Sequence, residues 1–261
     1  MIVLAIESAT ELAGVALADD AGVLATATVA RGRRHAESIV PAVDFVCRRA
    51  GIALPDVGAV VVDIGPGLFT GLRVGVGTAK ALAFALGVPL VGVGSLDVLA
   101  HGAAAVAPEG ALLVAVIDAR RAEVFVARFR VSAATARRVG EDERRTPEVL
   151  ADDLAAGGEP VVLVGNGARR YAAILGDVPA VTVAGASLDH PAPQALAVLG
   201  AARLAAGADG AEVLPRYLRD AETRINWERR AGRAEADGRA GRAEADGRAG
   251  RAGAPSERRG A

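Results

Sequence analysis

The chain is predicted to fold as a duplicated α/β protein with two lobes, each a mixed β-sheet flanked by helices. Two segments, Ile2–Ile6 and Leu112–Ile117, are apolar throughout, as buried central strands are. Each is followed by an acidic residue, Glu7 or Asp118, then by hairpin signals and an alternation of helix and strand patterns. With 261 residues and an apolar content of 52%, the chain can form one large core or two smaller ones.

The first half is predicted to contain three strands, followed by alternating helices and strands. The turn signal Asp19-Asp20-Ala21-Gly22 separates the second strand from the third. Apolar residues at helical spacing predict the first helix, which ends at Gly51. In chain order we expect strands Ile2–Ile6, Gly14–Leu17 and Val23–Val29, helix Ser38–Ala50, strand Val57–Ile64, helix Leu72–Leu86 and strand Leu90–Val93.

The second half repeats this order of elements. Thr146-Pro147-Glu148 predicts a helix start, with Thr146 as N-cap and proline at the first helical position. In chain order we expect strands Leu112–Ile117, Glu123–Phe129 and Arg137–Gly140, a helix from Thr146, strand Val161–Val164, a helix near Arg169–Leu175, strand Val181–Val183 and a helix near Gln194–Ala206.

The predicted lobes are residues 1–106 and 107–227, and residues 228–261 form a tail of different composition. In this tail the segment Gly-Arg-Ala-Glu-Ala-Asp-Gly-Arg-Ala occurs at 232–240 and again at 241–249. It contains no large apolar residue that could offset the entropy lost on ordering, so the tail is predicted to be disordered.

Charge and composition exclude several classes of function. The formal net charge is −1, and the excess arginine of the tail leaves the lobes acidic. Such lobes lack the basic stripe of a domain that binds nucleic acid by itself. A single cysteine excludes an internal disulfide, and three histidines distant in sequence predict no metal site. Without a signal peptide pattern or a long uninterrupted apolar run, we expect a soluble cytoplasmic protein that does not span a membrane.

Residues 65–77, Gly-Pro-Gly-Leu-Phe-Thr-Gly-Leu-Arg-Val-Gly-Val-Gly, join a predicted strand to a helix. Glycine there permits positive φ and lets another backbone or a ligand approach closely. A helix N-terminus also presents free N–H groups to an anion. Two interpretations are therefore open: a loop that holds a phosphate, or a loop that serves packing.

The order of elements is that of the actin, sugar-kinase and Hsp70 fold, in which two such domains enclose a nucleotide. In that fold the first hairpin of each half cradles phosphates, which makes Glu7, Ser8, Thr10 and Asp118 candidate nucleotide contacts. The alternative is an ordinary polar turn, since serine, threonine and aspartate favour turns by themselves. No paired catalytic base is evident, so no catalytic residue is assigned.

Three segments together resemble the TsaB (YeaZ) family of tRNA threonylcarbamoyladenosine biosynthesis. They are Ile6-Glu7-Ser8-Ala9-Thr10, His35-Ala36-Glu37-Ser38-Ile39-Val40-Pro41 and the glycine segment, with further similarity at 118–125 and 215–219. The family usually has Asp-Thr-Ser where this chain has Glu7-Ser8-Ala9, and a serine where it has Leu68. Both differences favour an interpretation without nucleotide binding.

The resemblance implies a non-catalytic dimerisation subunit that binds no cofactor and activates a TsaD-like catalytic partner. That partner transfers threonylcarbamoyl to N6 of adenosine 37 in tRNAs that read ANN codons, and a TsaE-like ATPase binds the pair. The family pairs through its two N-terminal helices, here about Ser38–Ala50 and Leu72–Leu86. The candidate interface residues are Ile39, Val43, Val46, Gly71, Arg73, Gly75, Ala79 and Leu82.

Gly71 and Gly75 lie one helical turn apart, a spacing that permits close helix approach, and packing against the protein's own sheet is the alternative. The alternative function is an ATP- and magnesium-dependent kinase or ATPase of the same fold that uses Glu7, Ser8, Thr10 and Asp118. A self-associating homodimer is a third interpretation. A zinc or serine peptidase is excluded, because both His-Glu-x-x-His and Gly-x-Ser-x-Gly are absent.

Overall fold

The computed structural model describes residues 1–30, 35–208 and 213–218, which belong to one compact unit. The first half contains strands β1 Val3–Glu7, β2 Ala13–Asp19, β3 Gly22–Val29, β4 Ala59–Asp63 and β5 Leu90–Val93, with helices α1 His35–Ala50, α2 Phe69–Leu86 and α3 Ser95–Ala104. The second half contains strands β6 Leu112–Arg120, β7 Glu123–Ser132, β8 Thr135–Arg145, β9 Val161–Val164 and β10 Val181–Val183, with helices α4 Pro147–Gly157, α5 Asn166–Arg170, α6 Ala172–Leu175 and α7 Pro193–Ala205.

The two sheets have the same topology. The first has the strand order β3-β2-β1-β4-β5, and the second has the corresponding order β8-β7-β6-β9-β10. In each, the first three strands form an antiparallel meander and the last two run parallel to the first. This confirms the predicted duplicated actin-like fold of two mixed sheets flanked by helices.

The central strands are apolar throughout because helices cover both faces of each sheet. Along β1, Leu4 and Ile6 pack with α1 and α2, whereas Val3 and Ala5 pack with α7. The alternation follows from the two-residue period of a strand. The same arrangement covers β6, where alternate residues contact α3 on one face and α4 on the other.

Two helices pack on the sheet of the opposite half. From α3, Leu96 and Leu99 enter the core of the second sheet. From α7, Leu196 enters the core of the first sheet, and a Cβ at Gly200 would overlap Val61 on β4. The predicted boundary between residues 106 and 107 stays a prediction, and the predicted tail, residues 228–261, lies outside the described residues.

Several predicted boundaries agree with the structure. Strands β5, β9 and β10 have the predicted bounds, α4 begins after the N-cap Thr146, and the left-handed Gly87 ends α2. Other predicted bounds were wrong: β8 is longer than Arg137–Gly140, β7 is longer than Glu123–Phe129, and β4 is shorter than Val57–Ile64. Helix α2 begins at Phe69, before Leu72, and α1 begins at His35, before Ser38. The predicted helix near Arg169–Leu175 is two short helices, α5 and α6.

By length and mean hydropathy, α2 alone among the described helices meets the criteria for crossing a membrane. Its face formed by Gly71, Leu72, Gly75, Val76 and Ala79 is buried, as in the core helix of a globular lobe. The predicted cytoplasmic location stays a prediction.

Candidate functional site

The glycine segment packs against the hairpin that follows β1. Gly71 and Gly75 lie one turn apart on one side of the start of α2, and Gly67 lies in the loop just before the helix. A Cβ at Gly67 would overlap the Ala9 carbonyl oxygen, and a Cβ at Gly71 or Gly75 would overlap the carbonyl or hydroxyl oxygen of Ser8. The Ser8 hydroxyl donates to the Gly71 carbonyl at 2.9 Å. These glycines therefore serve packing within the chain, the second of the two open interpretations.

Two carboxyl groups lie beneath this hairpin, at the ends of the parallel neighbours β1 and β4. Glu7 and Asp63 are both fully buried. Glu7 Oε1 accepts from the Ala9 N–H at 2.8 Å, and Asp63 Oδ1 accepts from the Gly65 N–H at 2.7 Å and the Ser95 hydroxyl at 2.5 Å. Burial and the nearby Asp63 raise the pKa of Glu7 well above its usual value, and burial also raises the pKa of Asp63.

The second candidate phosphate hairpin, after β6, is held by ionic contacts. Asp118 Oδ1 accepts from the Arg120 N–H at 2.9 Å. Asp118 Oδ2 lies 3.1 Å from Arg120 Nη1 and 3.6 Å from Arg170 Nε. A carboxylate with two arginine partners is neutralised locally, and a metal-bound phosphate would have to compete with both arginines for it.

The two candidate hairpins contact each other directly. Glu11, after β1, forms an ion pair with Arg120 and accepts from Asn166 Nδ2 at 3.2 Å. Asn166 in turn accepts from the Asp118 N–H at 3.0 Å. The cleft in which a nucleotide would lie is thus bridged by side chains of both halves.

Thr10 lies within hydrogen-bond distance of two histidines, His35 and His190, that are far apart in sequence. His35 Nε2 lies 2.8 Å from the Thr10 carbonyl oxygen, and a carbonyl only accepts, so His35 Nε2 carries the proton. His190 Nδ1 lies 3.0 Å from the Thr10 hydroxyl, and burial lowers the pKa of His190. Within the described part of the chain, no three or more metal-ligating side chains are grouped so that they could hold an ion.

The family model described as "TsaD: tRNA N6-adenosine threonylcarbamoyltransferase" matches residues 22–227. The chain belongs to this family.

Within the family, the similarity is to TsaB (YeaZ) proteins. The tRNA threonylcarbamoyladenosine biosynthesis protein TsaB of Bacillus subtilis (strain 168) is 29% identical over 229 residues, which cover 87% of this chain and 98% of that protein. TsaB of Escherichia coli (strain K12) is 40% identical over 130 residues, or 49% of this chain and 55% of that protein. The structure of YeaZ from Pseudomonas aeruginosa superposes with a TM-score of 0.72 at 29% identity, covering 83% of this chain and 99% of that one. The predicted membership of the TsaB family is confirmed.

Most of the predicted TsaB-type interface residues lie inside the first lobe. The buried ones are Ile39, Val43, Val46, Gly71, Gly75 and Ala79. Leu82 is half-buried, and Arg73 is exposed with its guanidinium 3.8 Å from the centroid of the Phe69 ring. Surface positions beside the buried residues are therefore the ones that a partner would contact.

Between α1 and α2 the surface has an apolar groove of about 300 Å³, which we call the α1/α2 groove. Its lining residues are Val40, Val43, Asp44, Cys47, Arg48, Ile52, Ala53, Leu54 and Leu82. Val40 is 59% exposed, and the same two helices expose Phe45 at 48% and Phe84 at 89%. In a chain with only 3% aromatic residues, exposed phenylalanines on both α1 and α2 add apolar surface to these two helices.

Sequence reasoning missed Asp63, Glu11 and Asn166. Asp63 was detectable, because it lies near the end of the predicted apolar strand Val57–Ile64, much as Glu7 follows the predicted strand Ile2–Ile6. Glu11 and Asn166 carry no such signal, since their contact depends on how the two halves pack.

Proposed function

We propose that this chain is the non-catalytic subunit that holds a TsaD-like catalytic partner in its active arrangement for threonylcarbamoyl transfer to tRNA. What carries the proposal is that the two hairpins which would cradle phosphates are bonded to each other through Glu11, Arg120 and Asn166. The proposed reaction is taken from the family, because the matching family model is that of the threonylcarbamoyltransferase.

The absence of a catalytic role is part of this proposal. Hydrogen bonds within the chain already occupy the candidate groups Glu7, Ser8, Thr10 and Asp118. A general base, in contrast, must lie within hydrogen-bond distance of the substrate proton that it removes. The proposed subunit uses no cofactor of its own.

The proposed docking surface is the face that carries the α1/α2 groove. Its exposed side chain Val40 supplies an apolar anchor, and Asp44 and Arg48 supply a polar rim. Phe45 and Phe84 are exposed on the same two helices but do not line the groove. The predicted Leu82 and Val43 line this groove, whereas Arg73, nine residues before Leu82, lies on the opposite side of α2. The buried Ile39, Val46, Gly71, Gly75 and Ala79 belong to the packing beneath the two helices. The TsaE-like ATPase and the tRNA would bind to the assembled pair, and without the partner the same face would allow homodimers.

Co-purification of the full chain with the TsaD-like protein of the same organism tests the proposal. A charge at Ala79 would unfold the lobe because this residue is fully buried, so the informative variant is Val40→Glu, at a 59% exposed position that lines the groove. We expect Val40→Glu to weaken assembly at least tenfold, because the added carboxylate would lose its hydration against the apolar lining when the partner binds. Val149→Glu, at a 46% exposed position on α4, is the matched control and should assemble normally.

Failure of the wild-type chain to bind the TsaD-like protein would contradict the proposed function. Normal assembly of Val40→Glu would contradict the docking surface alone. The alternative kinase or ATPase function predicts magnesium-dependent heat of ATP binding by the isolated protein, lost in Asp118→Asn. Calorimetry without such heat is the result that we expect.

A further inference from the structure

We propose that Glu7 and Asp63 form a single proton-binding site, in which one carboxylic acid and one carboxylate share a proton beneath the β1–β2 hairpin. The site does not depend on the proposed partner or reaction. It follows from the end of the first sheet, where two parallel strands place acidic residues side by side.

The register of the sheet brings the two groups together. Ile6 on β1 is paired with Val62 on β4, so the next residues along the two strands are Glu7 and Asp63. Both are fully buried, and one oxygen of each, Glu7 Oε2 and Asp63 Oδ2, has no hydrogen-bond partner. Buried polar atoms without a partner are rare, and a proton held between these two oxygens gives a partner to both.

In the described part of the chain, the surroundings provide hydrogen-bond donors, and no cation forms an ion pair with either carboxyl group. The N–H groups of Ala9 and Gly65 and the hydroxyl of Ser95 bind the other two carboxyl oxygens. Asp97 on α3 adds negative charge near Asp63, and Arg138 and Arg203 pair with Asp97.

The other elements around the pair add little charge. On the α2 side the hairpin meets Gly67, Gly71 and Gly75, and His35 on α1 bonds to the Thr10 carbonyl. Among the ion pairs of the described residues, none includes Glu7 or Asp63. Two ionised carboxylates here would be an uncompensated buried double charge, and one shared proton removes half of that charge.

A proton fits the site better than a metal ion does. Calcium and magnesium take six or more oxygen ligands from protein and water, whereas this pair is fully buried and only two of its oxygens are without a partner. The remaining carboxyl oxygens already accept hydrogen bonds from Ala9, Gly65 and Ser95, and this orientation depends on no ion.

The shared proton makes folding stability depend on pH with a defined sign. Burial raises the pKa of both carboxyl groups in the folded state, so the folded chain keeps a proton that the unfolded chain releases. The contribution of this site to stability is therefore greatest at acidic pH and falls as the pH rises above the ordinary carboxyl range. The folding equilibrium constant falls by up to tenfold for each pH unit until the folded pair loses its proton.

Infrared spectroscopy and pH-dependent denaturation of the full chain test the site. The wild-type protein at neutral pH should show the carbonyl band of a protonated carboxylic acid, and Glu7→Gln should lack it. In Glu7→Gln the amide supplies a permanent N–H to Asp63, so this contribution to the pH dependence above the ordinary carboxyl range should disappear. Glu148→Gln, at an exposed position, should keep both the band and the pH dependence of the wild type.

The absence of the protonated band in the wild-type protein at neutral pH would overturn the proposal, and this measurement needs no variant. Equal pH dependence in the wild type and in Glu7→Gln would also overturn it. If Glu7→Gln does not fold, Asp63→Asn provides the same comparison. Stabilisation of the wild type by added calcium or magnesium, absent from the variants, would show that the site takes a metal ion instead.

Discussion

Ser8 shows how one residue determines the use of a glycine-rich segment. Its hydroxyl and carbonyl oxygens occupy the space that side chains at Gly71 and Gly75 would fill. Gly77 lies on the same helix, but a Cβ there would meet no atom within 4 Å. The helix therefore contains glycines with two different roles, and only the contacts of the folded chain separate them.

Gly71→Ala and Gly75→Ala are expected to destabilise the protein by about 1–3 kcal/mol each, because the added methyl group must displace the Ser8 hairpin from α2. Urea denaturation of each variant measures this loss.

Gly77→Ala is the matched control in the same helix. It should raise stability by about 0.5–1 kcal/mol, because alanine loses less conformational entropy than glycine in a helix. A similar loss in all three variants would show that the helix itself, and not the contact with Ser8, requires glycine.

At the level of elements, two tight hairpin turns are formed by residues with poor preference for their backbone conformation. Arg121 and Ala122 connect β6 to β7 with φ of 55° and 57°, and Ala133 and Ala134 connect β7 to β8 with φ of 50° and 56°. Two-residue hairpin turns with positive φ at both positions favour Asn-Gly. The β6–β7 turn directly follows Arg120 of the candidate site, whereas the β7–β8 turn is surrounded by exposed residues.

Replacing Ala133 by asparagine together with Ala134 by glycine should stabilise the protein by about 1 kcal/mol, because each alanine is disfavoured in the left-handed region. Thermal unfolding should show a higher midpoint for this double variant.

Ala105→Gly provides the control for this turn. Ala105 has an ordinary φ of −69°, so glycine there only adds entropy to the unfolded chain and should lower the midpoint. An unchanged or lower midpoint for the turn variant would contradict the argument from turn geometry.

In the whole molecule, the two halves are joined by exchanged helices and by the late segment 213–218. Val213 packs in the core beside α1 and α2, and Leu218 packs against the core of the second sheet. Between them, the Arg216 N–H donates to the Ile64 carbonyl at 2.6 Å, and its side chain lies 2.9 Å from Asp142 on β8. This short segment therefore connects both sheets.

Val213→Ala should lower stability by about 2 kcal/mol, because it removes buried methyl groups from the first core. The neighbouring Leu214 is 50% exposed, so Leu214→Ala should change stability by less than about 0.5 kcal/mol. Denaturant titration distinguishes the two variants, and equal effects would mean that the segment contributes no specific contact.

Much of the architecture was predictable from the sequence, because it depends on local patterns. Three patterns involve only residues that are neighbours along the chain. They are the apolar runs of β1 and β6, the glycine that ends α2 and the Thr-Pro start of α4. The predicted limits of β8 and the predicted start of α2 were wrong because both depend on tertiary interactions. The length of β8 follows from its pairing with β7, and the start of α2 follows from the hydrogen bond between Leu68 and Ala9.

The sequence by itself determined the duplicated fold, the family resemblance and the position of Glu7 and Asp118 at the ends of the two first strands. The tertiary structure decided that Gly71 and Gly75 face Ser8, that Glu11 meets Arg120, that His35 and His190 both reach Thr10, and that Glu7 lies beside Asp63. The physical reason is that local propensity and hydrophobic period act over a few residues. A close approach between backbones, or a contact between side chains more than a hundred residues apart, exists only after both sheets and their exchanged helices have packed.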